Sequence, residues 1–163
     1  SDLGEDCDDS DPDVYPAVMD DTIDPLEPFS FSSPVVEADL WSEYDSFENG
    51  GYLFPESDED AFEFWFEDDS DWCFTDDPDK FYCVVDEPAG VDLSLEVFWE
   101  EEGTTGFNSW TSVNDSSGGG SEIFYGGGDC GGEDGGYYRV VITSASGESC
   151  SEPYAIYCEK YDD

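Results

Sequence analysis

The chain contains no histidine, and its only basic side chains are Lys80, Arg139 and Lys160. Without histidine there is no Ser-His-Asp or Cys-His arrangement for nucleophilic catalysis, and the usual Cys₂His₂ zinc sites are excluded. Against 45 Asp and Glu, three cations leave a formal net charge of −42. Nucleic acid needs a basic patch, so it is excluded as a partner, and an anionic membrane surface is disfavoured for the same reason. No apolar run is long enough to span a bilayer. The Gly-rich segments 116–121 and 126–136 are not followed by Gly-Lys-Ser or Gly-Lys-Thr, so no phosphate-binding loop is indicated. A pair of carboxylates is uninformative among so many acids, and neither lysine sits in a recognisable Ser–Lys motif. The expectation is a protein that is not an enzyme.

What is present is an apolar core inside an anionic shell. Hydrophobic residues make up 37% of the 163 residues and aromatic residues 17%, too many for a disordered acidic tail. The shell repels itself and destabilises the compact state. Bound cations, high salt, low pH or a basic partner must relieve it. Residues 1–28 are rich in Asp and Pro, and Pro12, Pro16, Pro25 and Pro28 argue against helix there. They form an irregular arm before a body at 29–163. In the body, short segments at 62–66, 81–85, 91–99, 107–113, 121–125, 136–144 and 152–161 are rich in aromatic and β-branched residues. Gly, Asp, Pro and Ser clusters separate them, which predicts an all-β sandwich or barrel. Residues 35–54 add one or two weaker strands. Leu93, Leu95, Val97 and Trp99 share one face of a strand, with Ser94, Glu96 and Glu100 on the other, and Tyr138, Val140 and Ile142 share a face opposite Tyr137, Arg139 and Thr143.

Six cysteines, Cys7, Cys73, Cys83, Cys130, Cys150 and Cys158, form an even set with no C-x-x-C pair. Disulfides in an oxidising, secreted setting are the reading, with 15 possible pairings. Cys73 and Cys83 flank Asp77-Pro78-Asp79 in an expected hairpin, which favours a Cys73–Cys83 bond. Cys150 and Cys158 fall on one expected strand, roughly 26 Å apart, and do not pair. Cys7 staples the head to the body or to another subunit, and Cys130 tethers a glycine loop. The sequence begins at Ser1, read as a mature secreted form with its signal removed.

Residues 6–13 read DCDDSDPD. Hard cations such as calcium take 6–8 oxygen ligands at about 2.3–2.6 Å. A non-helical loop with Asp6, Asp8, Asp9, Asp11 and Asp13 can wrap such an ion, with Asp20, Asp21 and Asp24 following closely. The bland alternative is a solvated acidic tail. Exposed aromatics such as Trp110, Tyr125 or Tyr137 are candidates for holding a polymer, against the plainer reading that they pack in the core.

The string DCDDSDPDVYP resembles an Asp-rich repeat of secreted bacterial proteins, DCDDxDPxVYPG, described as metal-binding. It departs at Ala17, where the repeat prefers Gly, and DDTID at 20–24 only echoes the usual continuation. The segment ADLWSEYDSFENGGYLFPESDEDAFEFWF, then GVDLSLEVFW, GGYYRVVITSASGES and PYAIYC, resembles the bacterial pre-peptidase C-terminal domain. That resemblance implies a jelly-roll-like antiparallel β-sandwich, similar to calcium-binding collagen-binding modules. It carries Asp58, Asp60 and Asp92 over as acidic positions near strand ends, where ordinary turn chemistry is the competing reading. Together these features predict a secreted calcium-binding structural module that self-associates, as a surface protein or a fibre subunit whose arm contacts a neighbour. The alternative is a non-catalytic accessory module that binds carbohydrate or collagen. A third reading ascribes the acidity to a high-salt habitat.

Overall fold

A computed structural model describes residues 34–37, 39–42, 44–51, 59–67, 79–113, 120–127, 135–147 and 152–161. The arm at 1–28, with all eight of its candidate aspartates, lies outside the described residues, as do Asp58, Cys7, Cys73, Cys130 and Cys150.

The described residues form nine strands: β1 (Val35–Val36), β2 (Ser46–Gly51), β3 (Glu59–Phe66), β4 (Lys80–Asp86), β5 (Asp92–Glu101), β6 (Asn108–Val113), β7 (Ser121–Gly127), β8 (Gly136–Ser146) and β9 (Tyr154–Tyr161). One sheet has the order β1-β3-β8-β5-β6 and the other β2-β9-β4-β7. Within β2–β9 only β5 and β6 are consecutive strands of the same sheet; every other connection crosses between sheets. Those two orders are the strand arrangement of a jelly roll, the double-sheet solution that all-β chains use to cover their faces. All ladders are antiparallel except the two-residue pairing of β1 with β3, which is parallel.

Alternation builds the core. In β5, Leu93, Leu95 and Val97 are fully buried while Glu96 is exposed, and in β8 Tyr138, Val140 and Ile142 point inward. Phe62, Phe64 and Phe66 of β3 meet Phe81 of β4 and Phe124 of β7 across the sandwich. Their rings contact edge-on or tilted: Phe64–Phe81 at 5.4 Å, Phe81–Phe124 at 6.0 Å. Full burial of each such ring stabilises the fold by roughly 1.5–3 kcal/mol.

The expected Cys73–Cys83 bond is corrected. Cys83 bonds to Cys158, and the two face each other in the β4–β9 ladder with Cα atoms 4.1 Å apart. The expectation placed Cys73 and Cys83 on either side of a hairpin turn at Asp77-Pro78-Asp79. Instead β3 and β4 lie in different sheets, so the chain between them is a crossover, and the neighbours of β4 are β7 and β9.

Candidate metal centre

β4 belongs to one sheet and β5 to the other, and the chain crosses between them in five residues, Glu87-Pro88-Ala89-Gly90-Val91. Val91 N donates to Pro88 O (3.1 Å), and Gly90 at the third position has φ 84°, the left-handed value that a type II turn requires there. A Cβ on Gly147, at the end of β8, would meet Gly90 O at 2.7 Å, so the two turns pack backbone to backbone.

This tight crossover brings Glu87 and Asp92 together, and β7 supplies a third carboxylate. Glu122 pairs with Val85 in the β4–β7 ladder and shares its inward face. Oxygens of Glu87, Asp92 and Glu122 all lie within 4.8 Å of one another. Glu87 is braced on both oxygens: Leu93 N donates to Oε1 (2.8 Å) and Gly120 N to Oε2 (2.9 Å). Its own N–H donates to Gly120 O (3.2 Å). Glu122 is 1% exposed. Asp92 Oδ1 is buried and has no hydrogen-bond partner, although buried polar atoms are almost always satisfied.

Ionised carboxylates at that spacing repel by roughly 3 kcal/mol per pair at an effective dielectric of 20. A divalent cation removes that cost and gives Asp92 Oδ1 a partner. The donor set is all oxygen, which suits calcium, magnesium or manganese rather than copper or zinc.

Of the aspartates singled out from the sequence, Asp92 is in this group. Asp60 is not: it is buried in β3 and accepts a hydrogen bond from Tyr154 Oη at 2.6 Å. Glu87 and Glu122 escaped the sequence reading. The overlooked signal for Glu122 is an inversion in β7, where Glu122 takes the core face beside Phe124 while Ile123, 42% exposed, faces out. Of the candidate polymer-binding aromatics, Trp110, Tyr125 and Tyr137 are all exposed. Trp110 also leans on core Tyr138 at 5.2 Å, and Tyr125 lies 6.5 Å from Tyr82.

Comparison with known proteins finds no matching family model and no matching curated protein. Among solved structures, the chain is similar to the Yersinia pseudotuberculosis-derived mitogen, at 11% identity and TM-score 0.44, covering 74% of this chain and 87% of that one. It is also similar to CorA, a surface-associated copper-binding protein of Methylomicrobium album BG8, at 8% identity and TM-score 0.41, covering 80% of this chain and 100% of that one. Likenesses this distant carry no inference about function. Among the described residues no helix is long and apolar enough to cross a membrane.

Proposed function

We propose that the chain is a non-catalytic, calcium-binding structural module of an oxidising extracellular setting. Glu87, Asp92 and Glu122 hold the ion where the chain crosses between the two sheets. The observation that carries this reading is Asp92 Oδ1, buried and unpartnered beside two further carboxylates. A cation held there ties β4, β5 and β7 together, and so links the two sheets at one end of the sandwich. Main-chain carbonyls and water complete the 6–8 oxygens that calcium takes. The Cys83–Cys158 bond fits a compartment in which disulfides persist. The Asp-rich arm is a second calcium-binding segment in this proposal, and it links one copy to the next in a surface assembly or fibre.

Thermal melting in EDTA and in calcium at fixed ionic strength tests it. A ligand that binds only the folded state stabilises by about 2.7 kcal/mol at a hundredfold excess over Kd. Wild type should melt several degrees higher in calcium, and Asp92→Asn should lose most of that gain. In EDTA, Glu122→Gln should melt no lower than wild type, because it relieves repulsion. If Asp92→Asn responds to calcium like wild type, the ion binds elsewhere and the assignment fails.

A further inference from the structure

At the far end of β5, about 30 Å from Asp92 at the usual rise per residue, an open groove of about 400 Å³ runs along the outer face of the five-stranded sheet. Its walls are Trp41, Trp65 and Tyr137. Trp65, Tyr137 and Glu100 form one cross-strand row, since Tyr137 pairs with Trp65 on β3 and with Glu100 on β5. Trp65 meets Tyr137 edge-on at 4.8 Å, and Trp41 lies 6.4 Å from Trp65. Trp41 is 52% exposed and Tyr137 41%. The rim is acidic, with Asp39, Glu100, Glu101 and Glu102 lining the groove.

The rings are held in place. Trp41 Nε1 donates to Asp39 Oδ2 (3.0 Å) and Trp65 Nε1 to Glu67 Oε2 (2.6 Å). Beneath them Lys160, buried on β9, donates to the main-chain oxygens of Trp41 (3.0 Å) and Glu67 (2.7 Å). Indole nitrogens committed to carboxylates leave the ring faces as the contact surface. Electron-rich faces within a rim of carboxylates favour a cation, which the ring quadrupole and the acids both attract. One row along the same sheet face, the chain makes this pairing internally. Arg139 is ion-paired with Glu63, and its guanidinium lies 4.0 Å from the ring centre of Phe107.

We infer that the Trp41–Trp65–Tyr137 groove binds a cationic side chain, a lysine or arginine displayed on a basic segment of a partner protein. Charge complementarity selects that occupant over a saccharide, because the chain carries a net charge of −42 and every charged side chain lining the groove is acidic. It also points away from a second copy. Arg139 and Lys160 are engaged within the fold, Lys80 has a partner of its own, and the chain has no other basic side chain.

The test is calorimetric titration of the full chain at about 0.15 M salt, where the screening length is about 8 Å. The probes are a short neutral peptide with one lysine, the same peptide with acetyl-lysine, and cellohexaose. The lysine peptide should bind, and acetylation should weaken it at least about tenfold. Trp41→Ala and Tyr137→Ala leave the charge unchanged and should each weaken binding about tenfold. Tyr125→Ala, an exposed aromatic on the other sheet, should not. If Trp41→Ala fails to fold, the exposed pair Glu101→Gln with Glu102→Gln serves instead and should weaken binding by a similar factor. Equal binding of the lysine and acetyl-lysine peptides overturns the inference. So does a lysine affinity untouched by the groove variants, which would be general attraction to an anionic surface. Binding of cellohexaose that depends on Trp41, with none of the lysine peptide, overturns it in favour of a sugar platform.

Discussion

Two phenols donate to one carboxylate oxygen on the outer face of the four-stranded sheet: Tyr82 Oη and Tyr157 Oη each reach Glu159 Oε2 at 2.7 Å. The hydrogen bond to Glu159 is the main reason that Tyr82 is pushed up to about 12 and Tyr157 is raised. The same bonds, that from Tyr82 foremost, hold Glu159 below the usual carboxylate range. The signs differ. A phenol raised in the fold adds stability that is complete below the ordinary value near 10 and is lost as pH climbs toward about 12. A lowered carboxylate adds stability present above its ordinary value and lost as pH falls through the folded one. Glu159→Gln should return Tyr82 toward 10, which the ultraviolet absorbance of the phenolate follows directly. An unchanged late phenol in that variant would mean that another group holds Tyr82 up.

At the scale of the element, the Cys83–Cys158 bond closes a sequence separation of 75 residues between strands that are already neighbours. Chain-entropy arithmetic for that loop gives up to about 4.5 kcal/mol. Replacing both cysteines by alanine should lower stability by about that amount in denaturant melts, without changing the sheet order. A loss under about 1 kcal/mol would mean that other restraints already confine the unfolded chain. The strands themselves were legible in the sequence, because period-2 alternation such as Leu93-Leu95-Val97 follows directly from burying one face. The pairing of strands was not. β3 and β4 are adjacent in sequence but join different sheets, and local pattern cannot distinguish a hairpin from a crossover when both need only a polar connection. The cysteine assignment failed in a similar way, because a turn signal at Asp77-Pro78-Asp79 does not say which strand lies beside Cys83, and that strand is β9. The carboxylate cluster was legible in part for the same reason. Asp92 entered through the family resemblance as an acidic position near a strand end, whereas Glu122 joins it only through the β4–β7 ladder and Glu87 only through the crossover turn. Lys160 is a further case. It occupies an inward position in the alternation of β9, where an apolar residue is expected, because its ammonium reaches two carbonyls and Asp79 at the end of the core.

At the scale of the whole molecule, charge opposes pairing of the sandwich with itself. Among the described residues, the strand orders leave β1 and β6 at the edges of one sheet and β2 and β7 at the edges of the other. β7, at an edge among the described residues, carries exposed Ile123 and Tyr125, the kind of strand that templates edge-to-edge association. A net charge of −42 opposes any such approach at neutral pH. That protection vanishes as the carboxylates take up protons near the isoelectric point of about 4.1. Sedimentation velocity at pH 7 in EDTA should therefore show one small species, and at pH 4 larger ones. Calcium at pH 7 separates generic neutralisation from the assembly proposed above. If the ion bridges copies through the Asp-rich arm, defined oligomers should form in calcium and disperse on chelation, and replacing Asp8, Asp9 and Asp11 by asparagine should abolish them. If the ion only closes the Glu87–Asp92–Glu122 group, calcium should raise the melting temperature and leave the sedimentation coefficient where EDTA had it.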